Sequence, residues 1–572
     1  QVVTGSTLAV HPRGPSFEVL PALARKKTSM KNVIRGIAAG AIVGLAVASA
    51  APALASTVGA HPSPPHVPAP AAPRADAFTV RGGVTSVIAP TTNDPRGLQI
   101  VSNTTTAHGQ LTRQTDGTFV YTPEKGFHGT DSFSYSTSDA VSLYETDVAP
   151  LGTVTGVNIS GGAYGSSVAM KPGSASTFYG LTDRGPNVDG PGGTKVEPLP
   201  SFTPAIGEFT FGSDGQADLI RTIPLRAKDG SALNGLENTV ADAGETITDL
   251  NGVVLPKSPN GLDSEGLVAA SDGSFWVSDE YGPFVVHVDR NGREISRLSP
   301  YDGSLPAELK YREPNKGMEG LTVTPDGRTL VGIMQAALTI DASKQAKSKN
   351  IPFTRIVTYD LRTHAVHEYA YVLDDPAANG TAVSEITAIS ATRFLVDERD
   401  GKMEPGAYKK VYEIDLAAAT DIGPAARVAG AHYDPTYGLE VAGVGPLEFL
   451  FTDKSQSPDG TAILTAHHIT PVSKKPALDL GALITRLDPT GGSFGHDKIE
   501  GIDLFDNGRK LLVSNDSDFG IDGLSDAAGA PSSTVAPPFT LHAKQDDGAY
   551  LVVDRAKVAD AVQTATVTIR VR

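Results

Sequence analysis

Short runs in which apolar and polar residues alternate, separated by Asp-Gly or Asn-Gly pairs, dominate the chain from residue 76 onwards. Alternation with a period of two places successive side chains on opposite faces of a strand, and Asp-Gly or Asn-Gly favours a tight hairpin turn. Gly and Pro are abundant, with 60 and 41 residues, which favours many turns and few long helices. The pattern therefore predicts an all-β protein.

Residues 76–140 form the first predicted β module. Phe119 and Tyr121 share one face of a predicted strand, as do Phe133 and Tyr135. Two such apolar faces packed against each other make the core of a sandwich. The segment resembles the cadherin-like and bacterial Ig-like repeats of secreted multidomain proteins. The resemblance implies a small β-sandwich that acts as a spacer or contacts a cell surface.

A longer motif recurs in the region 150–572. Each unit has a Glu ahead of an apolar strand, a turn, and a second apolar strand that ends on acidic or amide residues. The Glu residues are spaced by 54, 66 and 115 positions, and they are Glu265, Glu319, Glu385 and Glu500. Antiparallel units of this kind build the blades of a β-propeller, and about 420 residues at roughly 70 per blade predict six blades. The gap of 115 residues predicts a degenerate blade around Pro446 and Asp459–Leu464.

One Glu at the same point of several blades places several carboxylates at one mouth of the central channel. Unpaired carboxylates repel each other and raise each other's pKa, and a hard divalent cation relieves this repulsion. Calcium accepts six to eight oxygen ligands in flexible geometry, so we expect Ca²⁺ as the cofactor. The alternative is that each Glu caps its own strand or binds the backbone of the next blade. The predicted metal ligands are Asp183, Glu265, Asp279, Glu280, Glu319, Glu385, Glu398, Glu500 and Asp516.

Positive residues accompany the same motifs. A face that mixes carboxylates with Arg and Lys suits an anionic ligand bridged by metal, such as a phosphate ester. The alternative is that these cations form salt bridges between blades. The predicted substrate-binding residues are Arg184, Lys316, Arg399, Lys498 and Tyr281, and the predicted catalytic residues are Glu265, Glu319, Glu385 and Glu500.

The motifs of this region resemble the phytase-like family, whose members are described as having an esterase-like activity of phytase. The resemblance covers roughly residues 150–570 and is carried, in order, by Asp183-Arg184-Gly185, Asp263-Ser264-Glu265-Gly266, Trp276–Tyr281, Met318–Leu321, Leu395–Asp400 and Lys498–Gly501. It implies a secreted six-bladed propeller that acts on phosphate or other esters. The likeness to the calcium-dependent propeller phytases is one of architecture and acidic channel, so their catalytic residues do not transfer position by position.

Composition narrows the choice of chemistry and partner. The chain has 572 residues and no Cys, which excludes disulfides, zinc–thiolate sites and a cysteine nucleophile. With 48 Lys and Arg against 64 Asp and Glu, the net charge is −16, which argues against nucleic acid or an anionic membrane as the main partner. We expect a monomer that acts on a small molecule.

The first 75 residues have the features of targeting sequence. Residues 1–29 read as an upstream extension, and residues 56–75 as a Pro-rich linker. Residues 30–55 combine Lys31 and Arg35 with an apolar run and the small-residue site Ala53-Leu54-Ala55, which is the order of a secretory signal peptide. The apolar run is too short for a membrane span. Cleavage would remove six positive charges and one negative charge, leaving a secreted chain of net charge −21.

Three functions are therefore expected in turn. The first is a secreted, metal-dependent hydrolase of phosphate esters. The second is a lactonase- or carboxylesterase-type propeller hydrolase, and the third is a propeller that binds at the cell surface without catalysis. All three need the same acidic channel, so the residues alone do not separate them.

Overall fold

The computed structural model describes residues 72–114, 116–241, 244–453, 457–544, 546 and 548–572. The predicted upstream extension, signal peptide and most of the Pro-rich linker lie outside these residues. The described residues belong to one compact unit, Pro68–Arg572. None of the helices in this part of the chain is long and apolar enough to cross a membrane.

A β-sandwich lies next to the propeller. Its first sheet has four strands, in spatial order Asp76–Val80, Gln563–Val571, Gly129–Ser138 and Gln99–Asn103, and its second sheet has Ser86–Ile88, Phe119–Pro123 and Gly109–Arg113. Alternate residues of the strands face the core between the sheets. Phe119, Tyr121, Phe133 and Tyr135 are all buried there, which confirms the predicted sandwich and its apolar faces.

The sandwich and the propeller share strands from the two ends of the described chain. The last strand of the chain, Gln563–Val571, lies in the sandwich between Asp76–Val80 and Gly129–Ser138. Conversely, Val141–Thr146 follows directly on the sandwich but forms the outer strand of a propeller blade. The two domains are therefore interlocked by the chain path.

Five four-stranded units surround a central channel, and their inner strands contact each other in a closed ring. From the inner to the outer strand, blade one is Ser167–Met170, Thr177–Leu181, Ala205–Phe211 and Gln216–Pro224; blade two is Ser264–Ala269, Phe275–Asp279, Val285–Val288 and Glu294–Leu298; blade three is Met318–Val323, Thr329–Met334, Phe353–Asp360 and Val366–Val372; blade four is Ala382–Ala388, Arg393–Arg399, Lys409–Asp415 and Ser473–Asp479; blade five is Ile499–Phe505, Lys510–Asn515, Ala549–Asp554 and Val141–Thr146.

Apolar residues fill the spaces between neighbouring blades. Leu181 and Ile206 of blade one, for example, pack against Leu267, Val277 and Val286 of blade two. The ring closes where the outer strands of blades one and five pair in parallel. A propeller built from antiparallel blades confirms the predicted all-β class.

The number of blades differs from the expected six, because the described residues form five. The degenerate blade expected between Glu385 and Glu500 is an excursion of blade four, residues 416–472, which we call the insertion. Asp459-Gly460 is not a hairpin turn: the Asp459 carboxylate accepts a hydrogen bond from the backbone N–H of Ala462 at 2.9 Å and caps the helix Gly460–Ala466. Asp favours helix N-caps as well as turns, so the sequence pair was ambiguous.

The remaining elements are short and lie mainly in connections. The other α-helices are Pro376–Asn379 and Leu480–Leu487. Turns of 3-10 helix are Pro90–Asn93, Pro191–Gly193, Ala307–Tyr311, Ser348–Asn350, Leu447–Leu450, Asp518–Gly520 and Val558–Asp560. Small sheets pair Gly152–Val154 with Val157–Ile159, Ile521–Leu524 with Leu541–Ala543, Val188–Asp189 with Lys195–Val196 and Ile247–Thr248, and, in the insertion, Ala431–Asp434 with Gly438–Val441 and Gly445–Pro446.

Candidate functional site

A polar cavity of about 390 Å³ opens at the mouth of the channel where the inner strands begin. Glu265, Glu319 and Glu500 line it from blades two, three and five. The inner strand of each of these blades has an irregular register with its neighbour at the Glu, as in a β-bulge. A bulge changes the direction of a side chain, so the same local irregularity directs three carboxylates into one space.

The Gly that follows each of these Glu residues allows the inner strands to approach closely. A Cβ on Gly266 would lie 2.6 Å from the backbone N of Leu321, and a Cβ on Gly501 would lie 2.8 Å from the backbone N of Val168. Any larger residue would force neighbouring blades apart. The Glu-Gly pair thus combines a carboxylate for the cavity with close packing of the ring.

Glu385 does not join the other three glutamates. Its carboxylate accepts hydrogen bonds from Leu321 N–H at 2.9 Å, from the Ser167 hydroxyl and from Ile386 N–H. It lines a second cavity, of about 180 Å³, at the other end of the channel, where most lining residues are apolar. Glu385 is followed by Ile386 instead of Gly, and this is the sequence difference that accompanies its different position.

The second strands of the blades contribute the residue after the one that their pattern indicated. Asp279 accepts hydrogen bonds from the backbone N–H groups of Asp263 at 2.8 Å and Gly282 at 2.7 Å, away from the cavity lining. Glu398 accepts a hydrogen bond from the Tyr371 hydroxyl at 2.5 Å and pairs with Lys474 on the outer side of blade four. Adjacent strand residues face opposite sides. The cavity is accordingly lined by Glu280, Gln335, Arg399 and Asp516.

Three carboxylates form the tightest group in the cavity. One oxygen each of Asp263, Glu265 and Glu280 lies within 4.8 Å of the other two, and all three residues are buried. Glu319 lies beside them, because the Gln335 amide donates to Glu280 at 3.0 Å and to Glu319 at 2.9 Å. We call Asp263, Glu265 and Glu280 the carboxylate triad. Its oxygen donors fit a hard cation such as Ca²⁺.

Burial and mutual repulsion act together on these carboxylates. Burial raises the pKa of Glu265 well above its ordinary 4.5, and Asp263, Glu319, Glu280 and Glu500 raise it further. Burial likewise raises the pKa of Glu280 well above 4.5, with Glu319 adding to the effect. Bound cations would reverse these shifts by stabilising the ionised forms.

Asp183 and Glu500 extend this acidic region around the mouth. Burial raises the pKa of Asp183 well above 3.8, and the neighbouring Asp516 raises it further. Burial raises the pKa of Glu500 to about 8, although Arg399 opposes the shift. Asp516 differs, because Lys498 outweighs the effect of burial and lowers its pKa. Carboxylates of both protonation states therefore face one cavity near neutral pH.

Most cations of the cavity already have carboxylate partners. Arg399 pairs with Glu500, and Lys498 pairs with Asp516 at 2.9 Å and with Asp518. Lys316 instead donates to the neutral amide oxygen of Gln335 at 3.0 Å. The cavity lining holds ten carboxylates and five cationic side chains, a formal excess of five negative charges. An added cation is thus electrostatically favoured at this mouth.

Arg184 is held in place by residues outside the recurring motifs. Its guanidinium donates to the Asn187 amide oxygen at 2.9 Å and lies 3.4 Å from a Glu245 carboxylate oxygen. Tyr281 is fully buried behind it: the ring centroid lies 4.9 Å from the guanidinium carbon, and the hydroxyl donates to Glu245. Tyr281 therefore supports Arg184 instead of lining the cavity as a substrate contact.

Sequence reasoning missed Asp263, Gln335 and Asp518 as members of this site. Asp263 stood in the Asp-Ser-Glu-Gly motif, two residues before Glu265, and its acidic character was the available signal. Gln335 was recognised only as a departure from an acidic strand end, yet its amide bridges two carboxylates. Nothing in the strand pattern indicated Asp518, which follows blade five's second strand in a 3-10 turn.

The comparisons with known proteins agree with the sandwich and the motifs of the propeller. A bacterial Ig domain model matches residues 68–151. An uncharacterized secreted protein of Arthroderma benhamiae is 29% identical over 307 residues, which is 42% of this chain and 59% of that protein. The chain thus spans less than two thirds of the length of this curated relative.

Solved structures overlap with the chain only loosely. Virginiamycin B lyase from Staphylococcus aureus has 11% identity and a TM-score of 0.25, with 80% of this chain and 99% of that chain covered. The Dos1 propeller has 7% identity and a TM-score of 0.24, with 65% and 69% covered. Overlaps at these scores carry no argument, and the fold rests on the sheet topology described above.

The family assignment rests on the longest match. The phytase-like family model, described as esterase-like activity of phytase, matches residues 161–519, which is more than half of the chain and includes all but the last strands of the propeller. The motifs around Asp183, Glu265, Glu319 and Glu500 all lie inside the matched segment. The chain belongs to the phytase-like family.

Proposed function

We propose that the protein is a secreted, metal-dependent hydrolase of phosphate esters whose active site is the cavity at the carboxylate triad. The observation that carries the proposal is the close approach of the carboxylates of Asp263, Glu265 and Glu280 in a buried site. Secretion is supported by the predicted signal peptide and by the relative described as a secreted protein.

The residues present fit a divalent cation, with Ca²⁺ as the expected ion. The triad offers only oxygen ligands, and an oxygen of the adjacent Glu319, Oε2, is buried without a hydrogen-bond partner in the described part of the chain. Glu265, Glu280 and Glu319 form no salt bridge there with Lys or Arg. When bound, a divalent cation polarises a phosphoryl oxygen and lowers the pKa of a coordinated water.

The cationic residues of the cavity would bind and orient the phosphate group. Lys316 is suited to bind a substrate oxygen because its ammonium has only an amide partner at 3.0 Å. Lys498 and Arg399 lie in the same lining but are paired with carboxylates, so they contribute through a shared network of charge. Arg184, held by Glu245 and Asn187, adds a guanidinium of fixed orientation. Charge-assisted hydrogen bonds of this kind are the strong ones for phosphate.

Glu500 is the candidate for proton transfer to the leaving group. Its pKa of about 8 means that the carboxyl is mostly protonated at neutral pH. A general acid needs a proton to donate at the working pH and a pKa near it. Glu385 has no role in this proposal, because it lies at the other end of the channel.

The test is release of inorganic phosphate from phytate and from a simple phosphomonoester. Protein treated with a chelator should release none, and added Ca²⁺ should restore release in the wild type but not in Glu265→Gln. Glu385→Gln is the matched control, because it changes the same residue type in the corresponding motif at the other mouth, and it should retain activity.

Other substrates separate the alternatives in the same experiment. Turnover of lactones or carboxyl esters without phosphate release would assign the cavity to a carboxyl-ester hydrolase. Binding of Ca²⁺ with no turnover of any of these substrates would assign the protein to a non-catalytic binding role. Either result would contradict phosphate ester hydrolysis.

A further inference from the structure

A second group of buried charges lies at the outer edge of blade three, away from the channel. Arg355 and Glu368 belong to the two outer strands of that blade, Glu308 to the turn Ala307–Tyr311, and Glu448 to the insertion. The three glutamates are 0% exposed and Arg355 is 1% exposed. We call these four residues the glutamate cluster. Three carboxyl groups facing one guanidinium in a dry space require an explanation of their charge.

Glu448 takes up the single positive charge. Both terminal nitrogens of Arg355 contact the Glu448 carboxylate, one of them at 3.4 Å. Such a fork-like pair satisfies the charge of both partners. Glu308 and Glu368 are left without a cation of their own.

Glu308 and Glu368 face each other. Both carboxyl oxygens of Glu368 and the Oε1 of Glu308 are buried and have no other hydrogen-bond partner in the described part of the chain. The two carboxyl groups lie within hydrogen-bonding reach of each other. Two ionised carboxylates at this distance in a buried space repel strongly, whereas one proton held between them gives a stable pair.

The groups around the pair favour a proton on Glu368. The Tyr433 hydroxyl donates to Glu308 Oε2 at 2.9 Å, which stabilises Glu308 as the ionised member. Asp421 faces the backbone of Glu368, whose N–H lies 3.3 Å from Asp421 Oδ1, and its other oxygen pairs with His367 at 2.8 Å. Burial raises the pKa of Glu368 well above 4.5, and Glu308 adds to the shift.

The insertion seals this pair from water. A Cβ on Gly438 would lie 2.8 Å from Glu308 Oε1, and a Cβ on Gly423 would lie 3.1 Å from the Cγ of Glu368. Glycines of the insertion therefore pack directly on both carboxyl side chains. This close packing and the neighbouring Arg355 disfavour a metal ion, while a proton needs no added space.

We propose that Glu308 and Glu368 form a proton-sharing latch that holds the insertion, residues 416–472, against blade three. Loss of the shared proton at alkaline pH would place two like charges under the insertion and release it. Glu308 belongs to the connection 299–317, which also carries Lys316 of the channel cavity. Release would therefore also loosen one part of the cavity rim.

The sign of the pH effect follows from the raised pKa of Glu368. The stabilisation is complete below the ordinary Glu pKa of 4.5 and is lost as the pH rises through the higher value of the folded protein. Buried Glu residues reach pKa values of about 8–9, so the release should be visible between about pH 6 and about pH 9.

Hydrogen exchange followed by mass spectrometry tests the latch in the full-length protein. After correction for the intrinsic exchange rate, wild-type peptides from 416–472 should lose about tenfold protection per pH unit above the pKa of the pair. Glu368→Gln supplies a permanent N–H donor to Glu308 and should keep its protection across this pH range. Glu440→Gln, an exposed-edge carboxylate on the insertion that pairs with His432, is the matched control and should behave like the wild type.

A second variant keeps the test independent of the folding of Glu368→Gln. Tyr433→Phe removes the hydroxyl that stabilises ionised Glu308, so the loss of protection should move to higher pH. The latch is overturned if Glu368→Gln loses protection as the wild type does, or if Tyr433→Phe leaves the transition unmoved. It is equally overturned if Glu368→Gln lowers the content of tightly bound divalent metal by one ion per chain, since the cluster would then be a metal site.

Discussion

The two mouths of the propeller channel are built from the same recurring motif but differ in chemistry. At one mouth, Glu265, Glu319 and Glu500 enter a polar cavity with an excess of carboxylates. At the other, Glu385 is satisfied by hydrogen bonds from Ser167 and Leu321 and lies among apolar residues. A repeated Glu therefore does not by itself mark a ligand site. The position of the carboxylate and the groups that satisfy it decide its role.

The difference has a local structural basis. In three blades the Glu is followed by Gly, which leaves the next inner strand close and the Glu free to enter the cavity. In blade four the corresponding residue is Ile386, and the carboxylate of Glu385 hydrogen-bonds to backbone and hydroxyl groups within the channel. Burial raises its pKa well above 4.5, despite the hydrogen bonds from Ser167 and the backbone. Glu385 thus acts as a structural link across the ring.

The largest effect is expected from substitution of the triad. Glu265→Gln should lower the affinity for Ca²⁺ by about 100-fold or more, because loss of groups that merely support ligands already costs about 10–100-fold. Glu385→Gln should leave the affinity within about twofold of the wild type. Isothermal titration of chelator-treated protein measures both. Equal losses in the two variants would remove the distinction between the mouths.

A stability effect is expected at the other mouth. Ser167→Ala removes the hydroxyl that donates to Glu385 and accepts from Leu267 N–H at 3.1 Å. Leaving such buried groups unsatisfied should lower the free energy of unfolding by about 1–3 kcal/mol. Chemical denaturation measures the change, and the Ca²⁺ affinity of the variant should stay at the wild-type value. A parallel loss of Ca²⁺ affinity would show that the two mouths are coupled.

The pH dependence of metal binding distinguishes the mouths again. Glu265 and Glu280, whose pKa values lie well above 4.5, must lose their protons before a cation binds. Affinity should therefore fall by about tenfold for each pH unit below the pKa of one such group. Ca²⁺ titrations from about pH 8 down to about pH 5 measure this slope. A flat profile would mean that the triad is already ionised without metal.

The smallest expected effect concerns the unpaired cation of the rim. Lys316→Gln should raise the KM for a phosphate ester by about tenfold and leave kcat nearly unchanged, since it removes a charge-assisted contact to the phosphate. Steady-state kinetics with saturating Ca²⁺ separates the two constants. A fall in kcat with unchanged KM would place Lys316 in the chemical step instead of substrate binding.

The fold was largely predictable from the sequence because its signals are local. Alternating strands and turn pairs indicated the sandwich and the blades, and Phe119, Tyr121, Phe133 and Tyr135 lie in the core as expected. The blade count failed because chain length does not distinguish a blade from an excursion such as residues 416–472. The exchange of Val141–Thr146 and Gln563–Val571 between domains depends on long-range pairing that no local pattern encodes.

The candidate site was predictable only in part. Glu265, Glu280, Glu319, Glu500, Arg184 and Lys498 meet in one cavity as the motifs suggested. The side on which a strand-end residue lies depends on register, and a shift of one residue moved Asp279 and Glu398 away from the cavity. Support from outside the repeats, such as Glu245 behind Arg184, required the folded structure.

The central claim is that the carboxylate triad holds a divalent cation, and anomalous scattering from crystals grown with Ca²⁺ tests it most directly. We predict a strong anomalous peak between Asp263, Glu265 and Glu280 in the wild type, and no peak at that position in Glu265→Gln crystals. A wild-type map without a peak at the triad, or with its only peaks elsewhere in the molecule, would contradict the account.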